Sequence, residues 1–125
     1  MNVDKLNEFM LLEREQCPWA STQSMMDLIK EVKGELVELT EELLQQPQND
    51  NNIAEELADV FSDVLLLMHI AERDNQITGM QDIVQKALDK KLRRKGWLLE
   101  GKKLTKEQAS NYWYSAKESE KLQKA

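Results

Sequence analysis

Apolar residues recur at steps of three and four along the second quarter of the chain, between Met25 and Leu43. An α-helix turns once in about 3.6 residues, so this spacing places the apolar side chains on one face of a helix. A strand would need strict alternation, which no part of the chain shows. Pro18 and Pro47 interrupt the pattern, and the 125 residues hold only 4 Gly and 2 Pro. The spacing therefore predicts an all-α fold.

Five helices are indicated by their stripes and by the residues that start and stop them. They run over about 3–15, from the 21–22 region to the break at Pro47, and over 50–74, 80–95 and 105–122. Ser21 or Thr22 is expected to cap the second helix. Thr105 has a capping-box pattern with Gln108 at the start of the fifth. Gly96 follows the fourth helix as a C-terminal stop.

The short connections between these helices predict an antiparallel helical bundle that occupies residues 1–125 as a single domain. A bundle of this size has a small core. We therefore expect it to be completed by dimerisation, as a homodimer or a homotetramer.

The charge balance and the apolar content limit the partners. The net charge is −6, so a broad nucleic-acid-binding surface is not expected, since phosphate contacts need an excess of Lys and Arg. The longest apolar run, Val64–Met68, is far shorter than the roughly 18 residues of a membrane span. Cys17 is the single cysteine, which fits a reducing compartment. We expect a cytoplasmic protein that binds neither nucleic acid nor membranes.

Carboxylates line one edge of the apolar stripe on the second helix and again on the third. On the second helix these residues are Glu31, Glu35, Glu38 and Glu42, and on the third they are Glu56, Asp59 and Asp63. If the two helices pack antiparallel, the two rows can face each other, where they repel unless cations lie between them. Carboxylate oxygens are preferred ligands of hard ions such as Mg²⁺. The rows therefore indicate a metal-binding edge, with a solvated acidic face as the alternative.

Other metal chemistries lack their ligands in this chain. Di-iron bundles use Glu-x-x-His pairs, but the single histidine, His69, follows Leu66 by three residues. A zinc site is equally unsupported by one Cys and one His. We expect His69 to pack between helices.

Several motifs occur in a fixed order along about residues 5–120. They are CPW at 17–19, the pattern ExxE…ExxD at 35–38 and 56–59, KKLRRK at 90–95 and TKEQASNYWYSAK at 105–117. This ordered set resembles the MazG nucleotide pyrophosphohydrolases, part of the all-α NTP pyrophosphatase superfamily. Two positions depart from the family pattern and bear on substrate choice: Ala20 replaces a frequent Asp, and Asn52 a frequent Lys.

The resemblance implies hydrolysis of a nucleoside or deoxynucleoside triphosphate between the α and β phosphates, in nucleotide-pool housecleaning. The residues that match the family's Mg²⁺ ligands are Glu35, Glu38, Glu56 and Asp59. Mn²⁺ is the alternative ion. Glu38 is our candidate for the general base that takes a proton from water. Glu42 and Asp63 lie one turn further along and are expected to support the ligands.

The resemblance also assigns substrate-binding residues in the C-terminal part of the chain. Lys90, Arg93 and Arg94 match the family's basic segment and are expected to bind phosphate, although a solvated basic helix end is the alternative. Trp113 and Lys117 match a Trp and a Lys near the nucleotide, where the indole can stack on a base. Two other functions remain open: a narrower dCTP or dUTP pyrophosphatase, and a catalytically silent helical dimer that binds a nucleotide or a protein.

Overall fold

The computed structural model describes residues 3–124, which form helices and turns and include no strand. The α-helices are α1 (Val3–Gln16), α2 (Met25–Leu43), α3 (Asp50–Arg73), α4 (Met80–Lys95) and α5 (Lys106–Lys124). Two short 3₁₀ turns occupy Ala20–Thr22 and Gly96–Leu98. The predicted all-α class and the five helices are confirmed. None of the described helices is both long and apolar enough to cross a membrane.

The predicted N-cap of α2 is wrong by two or three residues. Ser24, rather than Ser21 or Thr22, caps the helix: its hydroxyl accepts from the backbone N–H of Asp27 at 3.1 Å. The Asp27 carboxylate accepts in turn from the Ser24 N–H at 2.9 Å, which completes a capping box. Ser21 and Thr22 belong instead to the preceding 3₁₀ turn. The reciprocal pair satisfies two backbone N–H groups, so it fixes the start of the helix at Ser24.

The first of two compact units, residues 3–80, contains α1, α2, α3 and the core. Its buried apolar residues are Met10, Ala20, Leu28, Leu65, Leu66, Ile70 and Ala71. Arg73, at the end of α3, donates to the carbonyls of Ala20 at 3.2 Å, Ser21 at 3.3 Å and Gln23 at 2.6 Å. These bonds tie the segment that precedes α2 to the C-terminal end of α3.

A buried polar group joins α1 to α3. His69 is 4% exposed, and its ring nitrogen Nε2 lies 2.6 Å from Oδ1 of Asn7. Arg14 donates to the His69 carbonyl at 3.1 Å and pairs with Glu72 at 3.3 Å. Burial and the Arg14 charge lower the pKa of His69, so its ring is neutral at pH 7. The expected packing role of His69 is confirmed.

Part of the predicted apolar stripe is uncovered. Leu28 is fully buried, but Leu36 on α2 is 46% exposed and Leu57 on α3 is 51% exposed. The core of this unit lies toward the N-terminal end of α2 and the C-terminal end of α3, where α1 packs on α3. The opposite ends of α2 and α3 pack on each other, so each covers only one side of its neighbour.

The second unit, residues 81–124, contains most of α4, the 96–105 connection and α5. The capping box at the start of α5 is confirmed: Thr105 Oγ1 accepts from the Gln108 N–H at 3.2 Å, and Gln108 Oε1 accepts from the Thr105 N–H at 3.0 Å. Neither helix contains a buried residue. The apolar residues Val84 and Leu88 of α4 are 58% and 50% exposed, so α4 has an apolar stripe with no core beneath it.

Candidate functional site

The acidic rows of α2 and α3 face each other. Carboxylate oxygens of Glu35, Glu38 and Glu56 all lie within 4.8 Å of one another. Oxygens of Glu31, Glu35 and Asp63 form a second group with the same spacing. Earlier residues of α2 meet later residues of α3, so the two helices run antiparallel, as predicted. Glu35 belongs to both groups and lies at the centre of the acidic cleft.

The other predicted carboxylates lie near the acidic cleft, but not all of them belong to the two groups of three. Asp59 is not part of either group of three, although its charge raises the pKa of Glu35 and of Glu56. The charge of Glu42 also raises the pKa of Glu56. Asp63, expected only to support the ligands, also has a carboxylate oxygen within 4.8 Å of one from Glu35.

Two residues at the acidic cleft were not among the site residues predicted from the ExxE…ExxD pattern. Glu31 precedes Glu35 by one helical turn and approaches both Glu35 and Asp63. Its position on the acidic edge of α2 is the signal that marks it. Glu13 on α1 adds a further negative charge near Asp63, which raises the pKa of that group. No periodicity within α2 or α3 could have indicated a contribution from α1.

The electrostatics show that the carboxylates destabilise one another when no cation is present. Loss of hydration, followed by the charges of Glu38, Asp59 and Asp63, raises the pKa of Glu35 to about 7. The pKa of Glu56 is raised by the same two causes, desolvation first and then the charge of Glu38. Protons therefore bind here more tightly than to ordinary carboxylates, and a cation would relieve the same repulsion.

Unsatisfied oxygens test whether the cleft fits a metal ion. Oε2 of Glu35 and Oε2 of Glu56 are both buried and have no hydrogen-bond partner. Buried acceptors without a donor are costly, and native proteins rarely keep them. Oxygen donors from several carboxylates are the ligand set that hard divalent ions prefer. The residues present therefore fit a divalent ion held between α2 and α3.

A separate cluster of cations surrounds Trp113 in the second unit. The Lys117 Nζ lies 4.4 Å from the centre of the indole ring, and the Arg94 guanidinium carbon lies 5.6 Å from it. Lys90 and Arg94 line one cavity of about 220 Å³ together with Trp113. Lys91 and Lys95 complete the charged lining of this cavity, which we call the basic cavity. The charged lining of this cavity suits an anionic ligand.

Glu120 on α5 is a prominent residue of this unit that the motifs did not indicate. Its Oε1 accepts from Arg93 Nε at 2.8 Å, and its Oε2 accepts from Arg94 Nη2 at 2.9 Å. Arg93 and Glu120 also line a neighbouring cavity of about 330 Å³ with Lys90. Only the approach of α5 to the end of α4 reveals this contact, because the partners are far apart in the sequence.

The antiparallel helices with opposed carboxylates define an all-α protein with an oxygen-ligand site suited to a divalent ion. The model of the MazG nucleotide pyrophosphohydrolase domain matches residues 21–99. A crystal structure of a mazG-related protein from Thermotoga maritima superposes with a TM-score of 0.84 and 30% sequence identity, over 93% of this chain and 99% of that chain. This chain therefore belongs to the MazG nucleotide pyrophosphohydrolase family. A search of curated proteins found no significant match.

The family match covers only part of the candidate site. The family match spans the carboxylates of α2 and α3 and the basic end of α4. Trp113, Lys117 and Glu120 lie beyond residue 99, outside that match. The predicted family is confirmed, and with it a nucleotide pyrophosphohydrolase in general terms.

Proposed function

We propose that this protein hydrolyses nucleoside and deoxynucleoside triphosphates between the α and β phosphates, releasing a nucleoside monophosphate and pyrophosphate. The observation that carries the proposal is the acidic cleft, where buried oxygens of Glu35 and Glu56 lack any donor. A protein that needed these helices only for packing would gain stability by replacing such groups. Membership of the family supports the reaction class.

The acidic cleft would hold Mg²⁺, or Mn²⁺ in its place, through Glu35, Glu38, Glu56 and Asp59. A bound ion of this kind neutralises charge on phosphate oxygens and makes water more acidic. Glu38 is more exposed than Glu35 or Glu56, so its carboxylate can contact solvent water more easily than theirs can. We assign it the role of general base, which accepts a proton from the attacking water. Glu42 and Asp63 would keep the ligands oriented through their charge.

The basic cavity would bind the phosphates. Lys90 and Arg94 line it, and no carboxylate is among its lining residues. Arg94 and Arg93 offer planar forks of donors, whereas Lys90 and Lys117 act as compact charges. Trp113 would stack on the base, with Arg94 and Lys117 held close to the indole.

A homodimer or homotetramer is part of the proposal. Half-exposed apolar side chains are present on α2, α3 and α4, including Val37, Phe61 and Val84. Exposed apolar groups of this kind favour contact with another apolar surface. Light scattering on the purified protein would give the mass, and a monomer would contradict this part. We further place the reaction in housecleaning of the cytoplasmic nucleotide pool.

The test is to incubate the purified protein with each common NTP and dNTP in Mg²⁺ and to identify the products. Pyrophosphate with a monophosphate supports the proposal, and release of orthophosphate contradicts it. Turnover restricted to dCTP or dUTP would narrow the substrate to a pyrimidine deoxynucleotide. Absence of turnover, with Mg²⁺ bound and the fold intact, would indicate a silent binding protein.

A further inference from the structure

Glu120 is the centre of the most enclosed ion-pair network in the second unit. Its side chain is 13% exposed, compared with 72% for Glu118, which pairs with Lys121 on the same helix. One oxygen binds Arg93, and the other accepts both Nε and Nη2 of Arg94, at 3.3 and 2.9 Å. The hydrogen bonds from Arg94 and then Arg93 lower the pKa of Glu120 to about 2. Glu120 is therefore charged throughout the neutral range.

The Arg94 guanidinium is held by one edge only. Arginine has five N–H donors in a rigid plane, and Glu120 occupies the edge formed by Nε and Nη2. Nη1 and the second hydrogen of Nη2 remain available, and together they form the second edge of the plane. An edge of this kind matches two oxygens of a phosphate group.

Glu120 does not line the basic cavity, whereas Arg94 does. Glu120 instead lines the neighbouring cavity of about 330 Å³. It thus contacts Arg94 from a side that the basic cavity does not share. The same guanidinium also lies 5.6 Å from the centre of the Trp113 ring. Two fixed contacts, one carboxylate and one aromatic ring, define where the guanidinium can point.

We propose that Glu120 is a positioning residue, which orients Arg94 in the basic cavity so that its free edge binds a polyphosphate group of the substrate. The inference rests on the proposed function, which makes the substrate a triphosphate. Fixing a long side chain before binding removes an entropic cost that the ligand would otherwise have to offset. The same carboxylate pairs with both Arg93 and Arg94, which offsets the repulsion between the two adjacent guanidinium groups.

For the phosphate affinity of a Glu120→Gln variant, the proposal predicts the opposite of what simple electrostatics predicts. Replacing Glu120 by Gln removes a negative charge beside a cationic cavity, which by Coulomb attraction alone should strengthen phosphate binding. If Glu120 positions Arg94, the same change should weaken binding, because the guanidinium loses its fixed orientation. Glu118→Gln is the matched control, with an equal change in charge on the same helix at an exposed pair.

Binding of inorganic tripolyphosphate to the full chain, measured by calorimetry in EDTA, tests the inference without turnover. EDTA keeps ions off the acidic cleft, so the signal reports the cationic residues. We expect Glu120→Gln to raise the Kd about tenfold and Glu118→Gln to leave it within about twofold. An unchanged or lower Kd in Glu120→Gln would overturn the positioning role.

A second variant covers the case in which Glu120→Gln unfolds. Glu120→Asp keeps the charge but shortens the side chain by one methylene, so a positioning role again predicts weaker binding, while wild-type affinity would refute it. If both variants unfold by circular dichroism, Glu120 serves to join α5 to α4, and the inference fails.

With an active enzyme, Glu120→Gln should also raise the KM for the best nucleotide about tenfold while kcat changes by less than about twofold. A fall in kcat with an unchanged KM would contradict the inference. If wild type turns over no nucleotide at all, the proposed function fails, but the tripolyphosphate result still decides the role of Glu120.

Discussion

Glu35 on α2 and Glu56 on α3 each bury one carboxylate oxygen that has no hydrogen-bond donor, and both lie within 4.8 Å of Glu38. Helix packing removes water from these carboxylates and brings like charges together, and both effects, desolvation first, raise the pKa of Glu35 and of Glu56. Such an arrangement weakens the metal-free protein. A cation in the acidic cleft would relieve this repulsion.

Replacing Glu35 by Gln should stabilise the metal-free protein while removing its response to divalent ions. The amide is neutral and supplies donors, so the gain should be about 1 kcal/mol, or roughly 4 °C in Tm. Thermal unfolding in EDTA and then in Mg²⁺ would measure both effects. Glu41→Gln, at an exposed position of the same helix, should change neither. A loss of stability in EDTA for Glu35→Gln would contradict the repulsion described here.

The pH dependence of stability should reveal Glu35 directly. Its pKa is about 7 in the folded protein, compared with an ordinary value of 4.5. The folded state therefore binds this proton more tightly, and the stabilisation is complete below the ordinary pKa and is lost as pH rises through about 7. In EDTA, the Tm of wild type should fall relative to that of Glu35→Gln between about pH 5 and pH 8. A constant difference across that range would show that Glu35 titrates normally.

Glu38→Gln should keep the fold and abolish turnover. Removing a general base typically costs about 10²–10⁴-fold in rate. Helical circular dichroism and Tm should stay at or above the wild-type values, because the change removes a charge from a repulsive cleft. Quenched-flow or steady-state release of pyrophosphate would measure the loss. Wild-type kcat in this variant would exclude Glu38 from the reaction.

Arg94→Ala should raise KM more than it affects helix content. The side chain would lose charge-assisted bonds to phosphate, so we expect a rise of about tenfold or more in KM. Lys121→Ala is a suitable control, since Lys121 is 72% exposed and pairs only within α5. If the Arg94→Ala variant loses its helical circular dichroism signal, Arg94 acts mainly by holding α5 in place through Glu120.

Arg73→Ala should destabilise the first unit without altering the ligands of the acidic cleft. Three backbone carbonyls would lose a charged donor, which we expect to cost about 2 kcal/mol in the free energy of unfolding. Urea unfolding followed by circular dichroism would measure it. Arg73→Lys should recover only part of the loss, because a single ammonium cannot reproduce the planar fork. Full recovery by Lys would indicate that charge alone matters.

The sequence predicted the helices because each has a continuous stripe, and it predicted the facing carboxylates because those lie on the same side of two stripes. Ser24 was missed since three hydroxyl residues compete near the start of α2, and only the reciprocal bond with Asp27 selects one. Glu31 was visible on the acidic edge but lies outside the ExxE pattern.

Tertiary contacts explain the remaining failures. Glu120 became apparent only where α5 approaches the end of α4, and Glu13 only where α1 lies near Asp63. Leu36 and Leu57 belong to the apolar stripes of α2 and α3 but are exposed. A stripe indicates which face of a helix is apolar and does not show which other element packs against it.

Arg73 fixes the start of α2 against the end of α3, which makes the acidic cleft sensitive to insertions at some places and tolerant at others. One extra residue between Ser24 and Glu35 would rotate that carboxylate by about 100° and lift it by about 1.5 Å, away from Glu56. Extra residues in the 44–49 connection would leave both helices in register with the contacts of Arg73. The register of the two acidic rows is thus set at the end of the unit where Arg73 lies, and a change of length in the 44–49 connection would not disturb it.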